Sequence, residues 1–137
     1  MAKPKLIPEL KVFDFTSSLQ FYTRLAGFEI IYERPEEDFA MLGLDGVQIM
    51  IEGYNDKSRS WISGPLERPL GRGMNLQIEV NDVNILLEKF KENQYPIFHE
   101  MEEKWYRIKN QETGNRQFLV QDPDGYLLRF FQDLGLR

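Results

Sequence analysis

The chain has 137 residues, of which 42% are hydrophobic and 28% charged, a composition typical of one globular domain spanning 1–137. It has no cysteine and a single histidine, His99, which excludes disulfide scaffolds, thiolate nucleophiles and histidine-rich metal sites. The net charge of −5 argues against nucleic-acid binding, and the sequence has neither a membrane-spanning apolar run nor a signal-peptide core. We therefore expect a cytoplasmic protein without nucleic-acid or membrane partners, in which His99 has no assigned role.

The first half of the sequence predicts one strand, one helix and three further strands. Residues 6–12 alternate loosely, with Leu10 and Val12 on one face, and Asp14 is among the residues that can cap the helix that follows. Gly27 is the expected end of this helix. The later strands are expected at 28–33, 39–44 and 47–52, with an Asp45-Gly46 hairpin turn between the last two. This set of elements forms a first module, 6–54.

A linker, 55–73, follows the first module and is rich in glycine, proline and mixed charge around Trp61. Its length is typical of a functional loop or an interdomain connection. The second module, 74–132, then begins with a strand at 74–80 and a helix at 82–93. Further strands are expected at 96–100, 105–109, 118–121 and 126–132.

The second module repeats the first. Sliding the sequence by 68 residues superposes Leu10 on Ile78, and sliding it by 79 superposes Ile51 on Phe130. The second slide also superposes the Asp-Gly turn at 45–46 on the one at 124–125. Because the order of elements is the same in both halves, we predict an α+β fold built from two βαβββ modules.

Two segments carry a resemblance to a known family. The segments 12–15 (VFDF) and 21–28 (FYTRLAGF) look like its first strand and helix, and 118–130 looks like its last hairpin, with an Asp-Pro-Asp-Gly turn at 122–125. They resemble the vicinal oxygen chelate superfamily of glyoxalase-like proteins, extradiol dioxygenases and bleomycin-resistance proteins. The resemblance implies that the modules form the two halves of a curled mixed sheet, a cup with helices on the outside. It also implies that two subunits associate as a homodimer.

Enzymes of this superfamily usually hold one divalent metal ion through His, Glu or Gln side chains. The resemblance places those positions at Ile7, Met50, Asn75 and Arg129. Ile7 and Met50 do not bind a hard cation, Asn75 is a weak ligand alone, and Arg129 repels a cation. The resemblance therefore implies a metal-free protein without a cofactor. A register error of two residues would instead bring in Glu9 and Glu52, and that alternative stays open.

Without a metal, the chain is most similar to bleomycin-resistance proteins, which bind the drug and make or break no bond. The negative charge suits a cationic ligand, and a planar ligand needs aromatic walls with polar groups beside them. The predicted ligand-binding residues are Phe39, Tyr54, Trp61, Asn75, Gln77, Trp105, Tyr106 and Arg129.

Three of the aromatic candidates also have a structural interpretation: Phe39 and Trp105 as core residues, and Trp61 as a dimer contact. Two other functions stay open for the whole chain. One is a metal-dependent lyase, isomerase or dioxygenase that uses an unusual ligand set, such as Glu9 and Glu52 with Asn75 and Gln77. The other is an interaction module whose cup is filled by its own side chains.

Overall fold

The computed structural model describes residues 3–55 and 61–137, which form two compact units. Unit 1 contains the described residues up to 70 together with 123–125, and unit 2 contains 71–122 and 126–137. Each unit has one four-stranded sheet of mixed direction, which confirms the α+β class. Among the described residues, no helix is long and apolar enough to cross a membrane.

Unit 1 has the order βαβββ. Its elements are β1 Glu9–Val12, α1 Phe15–Gln20, β2 Glu29–Arg34, β3 Phe39–Leu44 and β4 Val47–Gly53. The sheet order is β1-β4-β3-β2, with β1 parallel to β4 and the other pairs antiparallel. A π-helical turn at Phe21–Leu25 continues α1, and a short 3₁₀ turn, Pro35–Glu37, joins β2 to β3.

The ends of the first helix agree with the predicted signals. The Asp14 carboxylate accepts the Ser17 backbone N–H at 3.1 Å, and this hydrogen bond holds the pKa of Asp14 below its usual range. Gly27 follows the helix with φ of +85°, a conformation that glycine adopts without strain. The strand before the helix is shorter than predicted, because it begins at Glu9, directly after Pro8, which has no N–H to donate to a sheet.

Unit 2 repeats this arrangement. Its elements are β5 Asn75–Glu79, α2 Val83–Glu92, β6 His99–Ile108, β7 Gln111–Gln121 and β8 Leu127–Leu136. The sheet order β5-β8-β7-β6, again with one parallel pair, matches unit 1 and confirms the predicted duplication. The strands expected at 96–100 and 105–109 are one strand, β6. The prediction divided it because charged residues interrupt its apolar pattern, and a bulge lies between His99 and Glu102.

The strand registers show that the units are equivalent residue by residue. Leu10 of β1 lies opposite Ile51 of β4, and Ile78 of β5 lies opposite Phe130 of β8. All four side chains are at most 2% exposed. Each pair is therefore on the face of its sheet that packs against the helix of the same unit.

An aromatic residue of each helical segment anchors the core of its unit. Tyr22 is fully buried and contacts Phe28 edge-on, with ring centroids 5.8 Å apart. Phe90 of α2 contacts Phe118 and Phe130 at centroid distances of 5.9 and 6.1 Å. Fully burying one such side chain contributes about 2–3 kcal/mol, so these rings hold helix and sheet together and leave the opposite sheet face for polar groups.

Candidate functional site

The face of each sheet that points away from its helix carries the polar side chains. In unit 2, Gln77 and Arg129 are register partners on this face. The equivalent partners in unit 1 are Glu9 and Met50. In β8, Leu128 and Phe130 are fully buried on the helix side, while Arg129 is half-buried on the other.

A concavity of about 520 Å³ lies on the polar face of unit 2. It is lined by Gln77, Glu79, Tyr106, Thr113, Asn115, Arg129, Phe131 and Asp133. Of the predicted ligand-binding residues, it brings together Gln77, Tyr106 and Arg129. These come from three strands, β5, β6 and β8, so the sheet topology is what assembles them.

A buried amide organises one wall of the concavity. Gln117 is 2% exposed, and its Nε2 donates to Glu102 Oε2 at 2.8 Å and to Tyr106 Oη at 2.7 Å. Asn115 Nδ2 lies 3.4 Å from Gln117 Oε1. Because every member has a partner, the network holds Tyr106 in one orientation.

Arg129 lies on the polar face of β8, an inner strand of the sheet. Its Nη2 donates to Gln77 Oε1 at 2.5 Å. Its Nε is buried and has no hydrogen-bond partner among the described residues. A guanidinium has five N–H donors, so the described part of the chain leaves much of its hydrogen-bonding capacity unused.

The other predicted residues of unit 2 lie outside this concavity. Asn75 is the exposed first residue of β5 and lies opposite Leu127, not Arg129. Trp105 is on the opposite face from Tyr106, where its ring covers Gly114 and the Arg137 guanidinium lies 4.2 Å from the ring centroid. Adjacent residues of a strand point to opposite faces, so Trp105 and Tyr106 do not form one aromatic wall.

The predicted aromatic residues of unit 1 are also separate from each other. Phe39 is 2% exposed at the start of β3, beneath the Arg34 guanidinium, which lies 4.0 Å from its ring centroid. Tyr54 follows the end of β4, and its N–H donates to the Val12 carbonyl at 2.7 Å. Trp61 is 72% exposed and belongs to neither sheet.

The residues at the expected metal positions do not fit a divalent cation. Arg129 is positively charged, and Ile7 precedes β1. The alternative carboxylates, Glu9 and Glu52, both pair with Lys11, whose ammonium contacts Glu52 and lies 3.6 Å from Glu9. In the described part of the chain, no cluster of three His, Cys, Asp or Glu side chains could hold a metal ion.

His99 lies at the exposed start of β6. Its Nδ1 is 2.8 Å from the Glu100 carbonyl, and its Nε2 is 3.7 Å from Glu102. These are contacts with near neighbours on the same strand, and they suit a surface histidine.

Sequence reasoning missed Lys11, Glu102, Asn115 and Gln117. The partner of Lys11, Glu52, is 41 residues away, and only the parallel pairing of β1 with β4 brings them together. The alternation of Asn115 and Gln117 with Phe118 and Val120 was a usable signal, because it continues the predicted last part of β7.

Comparisons with known proteins agree with this architecture. Residues 8–130 match the family described as Glyoxalase/Bleomycin resistance protein/Dioxygenase superfamily. A bleomycin resistance protein of Geobacillus stearothermophilus is 29% identical over 136 residues, covering 93% of this chain and 96% of that protein.

Two solved structures are also similar. A superfamily member from Vibrio splendidus is 41% identical and covers 92% of this chain and 95% of its own, with a TM-score of 0.43. TioX from Micromonospora is 20% identical and covers 94% of this chain and 98% of its own, with a TM-score of 0.73. The likeness to TioX supports the fold.

Proposed function

The chain belongs to the glyoxalase/bleomycin resistance protein/dioxygenase superfamily, and from this premise we propose that it is a metal-free small-molecule-binding protein of the bleomycin-resistance type. Its mechanism is stoichiometric sequestration, in which no bond is made or broken. The protein acts in the cytoplasm as a homodimer, with the ligand in a cleft where two copies of the chain meet.

The observation that carries this proposal is the position of Arg129. It occupies a place where a metal-using relative needs a donor atom, and Gln77 holds it there through a hydrogen bond. A fixed guanidinium repels a divalent cation but donates hydrogen bonds to an organic ligand. The bleomycin resistance proteins that are 29% identical over nearly the whole chain also support a binding function of this type.

The chemistry of the concavity suits a planar ligand with cationic character. Tyr106 and Phe131 offer aromatic surface, and Glu79 and Asp133 carry negative charge into the same space. Aromatic stacking contributes about 0.5–1.5 kcal/mol beyond area burial. The net charge of −5 adds a long-range attraction for a cationic drug.

Isothermal titration calorimetry with copper-free and copper-loaded bleomycin tests this function. We expect saturable binding at a fixed ratio of drug to chain. Replacing Tyr106 with alanine should weaken binding about tenfold, which corresponds to about 1.4 kcal/mol. The same change at Tyr54, an exposed tyrosine outside the concavity, should leave the affinity unchanged. Absence of binding at high-micromolar drug would contradict the drug-specific proposal.

Two measurements test the remaining parts. Protein purified without chelator should contain no stoichiometric divalent metal by elemental analysis. A bound metal ion would instead favour the alternative, a metal-dependent lyase, isomerase or dioxygenase. Light scattering after gel filtration should give the mass of a dimer, and a monomer at micromolar concentration would contradict the intersubunit cleft.

A further inference from the structure

Three residues of β8 face the unit 2 concavity, and their charge changes from positive to negative along the strand. Arg129, Phe131 and Asp133 all lie on the polar face, because alternate residues of a strand share a face. Successive members are about 6.5–7 Å apart along the strand. The order is therefore a cation, an aromatic ring and an anion in one line.

The neighbouring strand β5 also carries its negative charge toward the Asp133 end of this line. Gln77 lies opposite Arg129, and Glu79 lies opposite Phe131, so the carboxylate of β5 is displaced from Arg129 in the direction of Asp133. The Asp133 carboxylate accepts one hydrogen bond, from the Gly135 N–H at 2.8 Å. A carboxylate has about four acceptor sites, so both acidic side chains keep capacity for a cationic ligand group.

The wall opposite β5 presents a hydrogen-bond donor. Glu102 is an acceptor when ionised, so the Gln117 atom that faces it is the amide nitrogen. The same nitrogen faces Tyr106 Oη, which must then accept this hydrogen bond. The hydroxyl hydrogen of Tyr106 has no acceptor among the described residues and remains to be donated. Within residues 3–55 and 61–137, the guanidinium of Arg129 likewise makes only the bond to Gln77.

We propose that the unit 2 concavity selects zwitterionic planar ligands, with a carboxylate or other oxygen acceptor toward Arg129 and an amine toward Glu79 and Asp133. The ring between the two groups lies against Phe131. This inference rests on the proposed function in one respect, because it takes the concavity to be the ligand site. It adds that the ligand must carry a hydrogen-bond acceptor, which the net negative charge of the protein does not by itself require.

Three small probes of the same ring size test the inference. They are 4-(aminomethyl)benzoate, which has both charges, 4-methylbenzoate, which lacks the amine, and 4-methylbenzylamine, which lacks the carboxylate. Dissociation constants come from titrations followed by backbone amide chemical shifts. The zwitterion should bind about fivefold more tightly than either single-charge probe, because each charged contact contributes to its affinity.

Two variants separate the contributions of the two ends. Arg129→Gln should remove the preference for the zwitterion over 4-methylbenzylamine, and Asp133→Asn should reduce its preference over 4-methylbenzoate, because Glu79 remains at the amine end. Asparagine keeps the oxygen that accepts the Gly135 N–H, so the end of β8 is retained. Arg116→Gln is the matched control, because Arg116 pairs with Glu103 at 2.6 Å outside the concavity, and it should change none of the three affinities.

The inference is overturned if the three probes bind wild-type protein equally, or if both site variants weaken all three probes to the same extent. Dispersed amide spectra of each variant verify that it folds. The bleomycin titration is independent of these results. Zwitterion selectivity without bleomycin binding contradicts the drug-specific function alone, whereas bleomycin binding without selectivity contradicts this inference alone.

Discussion

The Lys11 ammonium is a buried charge of unit 1, and we expect its loss to destabilise the fold. Lys11 is 5% exposed, although lysine is rarely buried unless it is paired. Its partners Glu52 and Glu9 have side chains that are 14% and 28% exposed. Replacing Lys11 with methionine keeps a long, unbranched side chain but leaves the two carboxylates without their counter-charge.

The expected cost follows from this burial. Removing one partner of a fully buried ion pair costs about 3–5 kcal/mol. Because Glu52 and Glu9 keep some contact with water, we expect Lys11→Met to lower the free energy of unfolding by about 2–3 kcal/mol. Adding Glu52→Gln removes the second charge as well. The double variant should therefore lose about 1–2 kcal/mol less than the sum of the two single variants.

Urea unfolding measures these values, since urea leaves the ionic strength unchanged. The matched control is Lys91→Met, because Lys91 pairs with Glu100 at 2.9 Å between side chains that are 52% and 67% exposed. Removing such a surface pair should cost less than about 0.5 kcal/mol. If Lys11→Met costs no more than this control, or if its effect and that of Glu52→Gln simply add, the ion pairs do not stabilise unit 1.

Two further predictions concern unit 2. Burial, and secondarily the Asp122 charge, raises the pKa of the Tyr95 phenol, so the neutral phenol is favoured in the folded state and its contribution to stability is lost as the pH rises above about 10. Tyr95→Phe should flatten the alkaline decline in urea unfolding free energy, and an unchanged slope would contradict this. A Cβ at Gly114 would lie 2.6 Å from Trp105 ring carbons, so Gly114→Ala should cost about 1–3 kcal/mol. Gly64→Ala, with no atom within 4 Å of its Cβ, should be nearly neutral in the same thermal or urea assay.

The fold could be predicted from the sequence because its apolar pattern is nearly complete on one side of each sheet. The two slides that align Leu10 with Ile78 and Ile51 with Phe130 reproduce the observed strand partners in both units. Buried apolar faces specify register strongly, since a slip of one residue would expose them. The apolar pattern does not predict β6 in the same way, because charged side chains lie on both of its faces. Its two ends were therefore predicted as separate strands.

The site was only partly predictable, because polar faces are specified by long-range pairs that periodicity does not reveal. Gln77, Tyr106 and Arg129 were among the predicted ligand-binding residues, and one concavity contains all three. The network around Gln117 requires the pairing of β6 with β7, which follows from a hairpin turn at Lys109-Asn110 that the sequence analysis did not predict. Trp105 and Tyr106 were both predicted to bind the ligand, but neighbouring residues of a strand face opposite sides and only Tyr106 lines the concavity.

The two units differ in the partners of the cationic side chain on the polar face of their sheets, Lys11 in unit 1 and Arg129 in unit 2. This difference indicates which unit binds a ligand. In unit 1 the Lys11 charge is neutralised by Glu52 and Glu9 within the same sheet. In unit 2 the Arg129 guanidinium donates to the neutral Gln77 amide and, among the described residues, forms no ion pair. A cation already paired with two carboxylates gains little from a ligand acceptor, whereas a guanidinium with unused donors gains a charge-assisted hydrogen bond. Substitutions on the polar face of unit 2 should therefore change ligand affinity, while equivalent substitutions in unit 1 should change stability.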